Sequence, residues 1–347
     1  MKHFRTLTAA FLCAAILATA SACSPATEDM DILDGVSYDV SDYEVSGEAK
    51  LTVAFPTPAT VPGGITLPES IDSSLLETLN KRLNNQSFGC AMYYYDIKTG
   101  FSISYNAERL FGAASLIKAP YLLYILDRVD KGELSLDMEM TYHAKIHKFG
   151  GTGSVKNMPD GTKLTLREVI EHICIESDNS AFRMLHNTTD GLMSLIEFHQ
   201  NAMRDFKAPF VSNTYGSVLN AQGVGRIFTE IYHRADDGSE VFKWFVELLK
   251  EANANKFVKG GLPTDESGEC IYEVAHKYGE DIKSLNDAAI VYYGDRPYVL
   301  VILTDYTGVY SQSFMNRIST DVYKIHQELT GDRLKNSHFV LFPIDIS

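Results

Sequence analysis

The sequence has no basic run, and its 31 Lys and Arg residues are outnumbered by 45 Asp and Glu, for a formal net charge of −14. A nucleic-acid binder needs a clustered positive footprint, so that class is excluded. Beyond one short apolar stretch near the amino end, no run is long and charge-free enough to span a bilayer. Five cysteines in 347 residues are too few for a disulfide scaffold. No CxxC and no Cys/His cluster at ligand spacing occurs, which argues against a zinc site. Nothing calls for a metal or another cofactor, no internal repeat is visible, and a monomer is the default expectation. What remains is 45% apolar and 22% charged, the composition of a soluble globular protein with room for one large domain or two ordinary ones.

Lys2 and Arg5 precede the apolar stretch Thr6 to Ala22, and a basic start followed by a short apolar segment reads as an export signal over residues 1–22. The stretch closes on Ala20-Ser21-Ala22-Cys23, which resembles a bacterial lipoprotein box. Cys23 would then be lipidated, tethering the protein to the outer side of a membrane without spanning it. A plain cleavage site beside a chance cysteine is the other reading. Residues 23–69 are acidic and proline-rich, from Glu28 to Glu48 and then Pro56, Pro58, Pro62 and Pro68, and read as a solvated tether. Cys90, Cys174 and Cys270 read as buried apolar residues, with one bridge among them allowed.

Folded sequence is expected over 70–330. Leu75, Leu76, Leu79 and Leu83 repeat at helical spacing. Gly89–Asp96 and Phe101–Tyr105 flank the turn Lys98-Thr99-Gly100 as a hairpin. The middle is helical: a buried helix over 119–129, a capping box Thr165 to Glu168, then helices over 181–186, 191–203, 222–234 and 240–252. Strands return at 273–277, 287–293 and 298–304, and a helix over 316–330 closes the domain. The simplest arrangement is α+β, an antiparallel sheet built from both chain ends with a mostly helical lobe inserted between them. Residues 331–347 form a tail without an assigned role.

Two short patterns carry chemistry. In Ser115-Leu116-Ile117-Lys118, serine and lysine lie one helical turn apart, so the amine can reach the hydroxyl. A serine needs a base to become a nucleophile, and a lysine in apolar surroundings can lose its proton and serve. The helix start also offers N–H groups to an oxyanion. The spacing alone occurs by chance about once in a chain this long. The second pattern, Ser177-Asp178-Asn179, sits between two helices and reads on its own as an ordinary capped turn.

Together and in this order, the two patterns resemble the penicillin-recognising serine hydrolases, most closely the class A β-lactamase group, whose pattern is S-x-x-K, S-D-N, K-T-G. The resemblance covers roughly residues 75 to 330. Lys98-Thr99-Gly100 precedes Ser115 and so falls in the wrong order, and Lys259-Gly260-Gly261 comes too early. Lys277-Tyr278-Gly279 matches best. The resemblance implies that Ser115 forms an acyl-enzyme, Lys118 takes its proton and Ser177 relays a proton to the leaving nitrogen. It further implies that Asn179 binds substrate amide, that Lys277 binds substrate carboxylate and lowers the Lys118 pKa, and that the N–H groups of Ser115 and Glu280 form the oxyanion hole.

Two departures stand out. Tyr278 occupies the place of a small hydroxyl residue. Between 180 and 226 the only glutamate, Glu197, lies in a helical pattern, leaving Asp205, Asn213 and Asn220 as stand-ins for the group that activates the deacylating water. Three functions stay open: hydrolysis of β-lactam amides, a cell-wall peptidase or esterase that binds penicillin and deacylates slowly, and a non-catalytic ligand sensor. The histidines, His276 beside Lys277 included, are expected to have packing or surface roles.

Overall fold

The computed structural model describes residues 49–187, 189–213, 216–252 and 256–332. The expected export signal, Cys23 and most of the tether lie outside these residues, as does 333–347. In chain order the elements are β1 (Leu51–Ala54), α1 (Ser73–Asn84), β2 (Cys90–Asp96), β3 (Ser102–Tyr105), β4 (Phe111–Gly112), α2 (Lys118–Asp130), β5 (Glu139–Thr141), α3 (Ala144–His147), β6 (Lys163–Thr165), α4 (Leu166–Ile175) and α5 (Asn179–His186). They continue as α6 (Leu195–Phe206), β7 (Val211–Asn213), β8 (Gly216–Leu219), α7 (Ala221–Asp236), α8 (Glu240–Glu251), β9 (Val274–Glu280), β10 (Leu285–Val291), β11 (Tyr298–Thr304) and α9 (Val309–Leu329).

The main sheet has six strands in the order β1-β3-β2-β11-β10-β9, with every neighbouring pair antiparallel. It is built from both ends of the chain, as the order of elements predicts, with helices α2 to α8 inserted between its halves. Side chains alternate across each strand. Val299, Val301 and Leu303 of β11 enter the core shared with the inserted helices, while Tyr298, Leu300 and Ile302 enter a second core under α1 and α9. Burial on both faces explains why these strands read as unbroken apolar runs. By the same alternation, Ala275, Lys277 and Gly279 of edge strand β9 face the inserted helices, and Val274, His276, Tyr278 and Glu280 face α9.

Several boundaries differ from expectation. Leu51–Ala54, assigned to the tether, pairs with β3 as an edge strand, because its alternating burial needs only one covered face. Strand β9 runs on to Glu280, so Lys277-Tyr278-Gly279 lies within the strand rather than at its end. Helix α9 begins at Val309, where exposed Val309 and Tyr310 hide the apolar period. Asp178 caps α5 and draws its start back to Asn179. Cys90 and Cys174 are buried, Cys270 is half-buried, and all three are free, so the allowed bridge is absent among the described residues. Lys98-Thr99-Gly100 is the tip of the β2–β3 hairpin, and Lys259-Gly260-Gly261 is a 3-10 turn packed on α9, so neither is near the site.

Candidate active site

Ser115 lies in a 3-10 turn, Ala114–Ile117, that runs directly into α2 at Lys118. The turn is held from both sides. The Ala113 N–H donates to Ser217 O in the segment that forms β8, and buried Asn286 of β10 donates from Nδ2 to Gly112 O at 2.7 Å and Ala113 O at 3.3 Å. Ala114 has φ +44°, a left-handed conformation that a non-glycine residue holds only when its surroundings over-determine it.

The Lys118 amine is 2.9 Å from Ser115 Oγ, 2.6 Å from Ser177 O, 2.6 Å from Asn179 Oδ1 and 3.3 Å from Ser177 Oγ. The orientation of the Asn179 amide is fixed, because its Nδ2 donates to Gly150 O. Ser177 O and Asn179 Oδ1 can only accept. Once the amine is neutral, they can hold its two N–H bonds and leave its lone pair toward the Ser115 hydroxyl. Burial, and then the neighbouring Lys277 ammonium, push the Lys118 pKa well below that of an ordinary lysine. Lys277 is lowered to about 8 by burial. Once Lys118 gives up its proton it no longer repels Lys277.

Ser177 also has a left-handed φ, +53°. A loop from Phe149 to Val155 clamps the turn it sits in. Thr152 Oγ1 donates to Ser177 O at 2.7 Å, the Asn179 N–H donates to Thr152 O, and the Val155 N–H donates to Asp178 Oδ2. Gly153, at φ +101°, lies so close that a Cβ there would be 2.0 Å from Asp178 Cγ. Lys277 reaches over from β9 and donates to Ser177 Oγ at 3.0 Å and Tyr278 O at 2.8 Å. A Cβ on Gly279 would sit 2.5 Å from the Leu116 nitrogen and 2.9 Å from that of Ser115. Only glycine lets the strand edge approach the turn, and Glu280 follows it directly.

The structure thus brings Ser115, Lys118, Ser177, Asn179 and Lys277 into one hydrogen-bonded cluster around the Lys118 amine. The Tyr278 ring packs 5.1 Å from Phe257 in the core under α9 and lies 4.7 Å from the Lys277 ammonium, so it offers that cation a π face in place of a small hydroxyl. Thr152, Gly153 and Asn286 were missed from sequence. Gly150-Gly151-Thr152-Gly153 was a visible signal, a glycine-rich stretch too dense for an ordinary loop, whereas Asn286 had none.

The described stand-ins for a deacylating group, Asp205 and Asn220, make their bonds elsewhere, as does Glu197. Glu197 and Asn201 do stand four residues apart, a spacing overlooked in the sequence, but both are on α6 and line a cavity of about 540 Å³ with Tyr124, Arg128 and Arg204 that no site residue lines. Asp205 pairs with Arg204, and Asn220 caps α7. The side chain of Asn213 lies outside the described residues. Among the described residues, no carboxylate is hydrogen-bonded to Ser115, Lys118 or Ser177. His172, Glu176 and Asp178 come together at a spacing that could hold a cation, but both Asp178 oxygens accept backbone N–H bonds and Glu176 accepts from Ser154 N. His276 bonds Asp287 on the far face of β9, a packing role as expected.

The family model described as the β-lactamase enzyme family matches residues 74–326. A β-lactamase from Streptomyces fradiae is 24% identical over 225 residues, 60% of this chain and 71% of its own length. Among solved structures, PBP-A aligns with a TM-score of 0.67 at 20% identity, covering 76% of this chain and 100% of its own. A mutant of it, with the same TM-score of 0.67 at 18% identity over 76% of this chain and 100% of its own, is an acyl-enzyme complex with penicillin G. A β-lactamase from Chitinophaga pinensis aligns with a TM-score of 0.63 at 23% identity, over 73% of this chain and 99% of its own. With the matched region running from α1 into α9 and enclosing every residue of the cluster, the chain belongs to the β-lactamase enzyme family.

Proposed function

We propose that this protein is a serine hydrolase that opens β-lactam amides through an acyl-enzyme on Ser115, and that the acyl group leaves slowly. The observation that carries the reading is the Lys118 amine, 2.9 Å from Ser115 Oγ and 2.6 Å from each of two acceptors, Ser177 O and Asn179 Oδ1, that can hold its N–H bonds. In acylation the Ser115 proton passes to Lys118 Nζ as the Oγ–C bond forms at the lactam carbonyl. The oxyanion is held by the N–H groups of Ser115 and Glu280. As the tetrahedral intermediate collapses, the ring C–N bond breaks and the leaving nitrogen takes a proton from Ser177 Oγ. Ser177 is reprotonated from the lysine pair that touches it. Hydrolysis then needs a water activated beside the ester, and with no carboxylate in the cluster among the described residues that step is weakly served.

The same absence supports a second reading, a cell-wall peptide or ester hydrolase for which β-lactams are trapping inhibitors. Incubation with a fluorescent penicillin, followed by mass spectrometry over time, separates the two. Rapid loss of adduct supports the β-lactamase, and a lasting adduct supports the second reading. If no adduct forms, or Ser115→Ala labels equally, the assigned nucleophile is wrong. We further propose export and lipid anchoring at Cys23, with the enzyme acting as a monomer. Cys23→Ala should move the protein from the membrane fraction to the soluble one.

A further inference from the structure

One end of the main sheet presents apolar side chains to water. Cross-strand register puts Leu51 of β1, Tyr105 of β3, Cys90 of β2, Thr304 of β11 and the Leu285–Glu280 pair of β10 and β9 at this same end. Beyond it stand the β9–β10 turn, residues 281–284, and the loop from Asp305 into α9. Thr307 joins the two, its hydroxyl donating to Glu280 Oε1 at 3.1 Å. Of the large apolar side chains exposed among the described residues, the three most exposed are all here: Ile282 at 90%, Val309 at 77% and Tyr310 at 74%. Tyr306 precedes the last two, with its ring stacked on Phe88 at 5.4 Å. The turn and the loop are held in shape: Asp281 Oδ1 accepts the N–H bonds of Lys283 and Ser284, and Thr304 Oγ1 donates to Tyr306 O. Such a cluster marks an interface. The charges around it do not favour an anionic partner. Arg109 is paired with Asp305, and Lys283 shares its turn with Glu280 and Asp281.

We propose that this end of the sheet docks on a lipid bilayer, with Ile282, Val309 and Tyr310 entering the headgroup region of a zwitterionic surface. It rests on the export and lipid-anchoring reading for the source of that bilayer. The chain leading back to Cys23 joins the domain at this tip, because Leu51 begins β1 here and not at the far end. Residues 24–48 reach about 90 Å if fully extended, too far for a lipid on Cys23 to dictate which face of the domain meets the membrane. The apolar tip supplies that orientation. A weak contact suffices, since tethering keeps the bilayer at high effective concentration. Burial of apolar side chains drives such docking without cations, and tyrosine suits the interface with its apolar ring and polar end. Glu280 links the tip to Gly279, whose backbone abuts the Ser115 turn, so docking holds the rim of the site beside the membrane.

The test uses the mature chain from residue 23 with Cys23→Ala, so that no lipid is attached, and measures its co-sedimentation with phosphatidylcholine vesicles. Binding is expected. Ile282→Ser, Val309→Ser and Tyr310→Ser should each lower the partition coefficient about tenfold, and each should keep the parent's urea midpoint because its side chain already lies in water. Phe55, exposed at the opposite end of the sheet, is the control, and Phe55→Ser should bind as the parent does. Mixing in an equal part of phosphatidylglycerol should not strengthen binding, given the net charge of −14. Failure to sediment with the vesicles, losses within about twofold in all three variants, an equal loss in Phe55→Ser, or tighter binding to the anionic vesicles overturns the inference. So does a concentration-dependent dimer that the three changes together disperse, which assigns the face to a second copy of the chain. The anchoring reading fails separately: native Cys23 protein found in the soluble fraction of cells rejects the anchor and leaves the vesicle result standing.

Discussion

The turn around Ser177 and the segment from Lys207 to Asn220 both lead into helices beside the same serine. The first is clamped. Thr152, Val155, Lys118 and Lys277 all bond to it, and glycines at 151 and 153 let a second loop lie against it. In the second, β8 pairs with β4 and Ser217 O accepts the Ala113 N–H. Its described part, ending in Asn220 as a helix cap, sends no carboxylate to Ser115. The contrast shows which half of the reaction is supported. The groups proposed to move a proton off the serine are held by several hydrogen bonds, and among the described residues none is held beside Ser115 to move one off a water.

The sharpest way to break this contrast is to remove the base. Lys118→Met should lower the rate of penicillin labelling by about 10²–10⁴-fold with the helix intact by circular dichroism. A variant that labels at the native rate would mean that the clamped turn does not serve acylation. Next in size is Gly153→Ala. Strain at a left-handed φ and the clash with Asp178 should together cost about 2–5 kcal/mol, visible as a lower midpoint in urea unfolding. A comparable loss from Gly294→Ala, where a Cβ meets nothing within 4 Å, would show that strain alone accounts for the effect.

A pH profile sharpens the comparison without disturbing the fold. Acylation needs Lys118 neutral, so its rate should rise with pH through that lowered pKa. It should fall again near pH 8 as Lys277 loses its proton. Lys277→Arg should carry the alkaline limb above about pH 10, since a guanidinium stays charged there. An unmoved limb would assign it to another group. The smallest expected effect is at Thr152. Its hydroxyl shares Ser177 O with Lys118, and losing that bond is worth about 1 kcal/mol. Thr152→Val should slow labelling about fivefold, Thr152→Ser should restore it, and equal slowing by both would point to packing rather than the hydrogen bond.

Much of the fold could be read along the chain because its signals are local. The apolar run Tyr298–Thr304 and the Thr165–Glu168 capping box both appear as expected. Strand β1 escaped because four residues among acidic and proline-rich neighbours carry too little pattern. In the site, Ser115, Lys118 and the Ser177 turn were readable because their spacing is short. Asn286 and Thr152 were not, since their roles exist only after chain segments far apart in sequence meet.

The sequence by itself determined that Ser115 and Lys118 meet, because a spacing of three residues on a helical turn fixes a distance. It also determined that Tyr278 stands where the family pattern has a small hydroxyl residue. Tertiary structure alone decided that the Lys118 pKa is pushed well below that of an ordinary lysine and that Ser177 O and Asn179 Oδ1 lie within reach of its N–H bonds. Burial, dielectric surroundings and cross-strand register depend on residues that meet only when the two halves of the sheet close around the inserted helices.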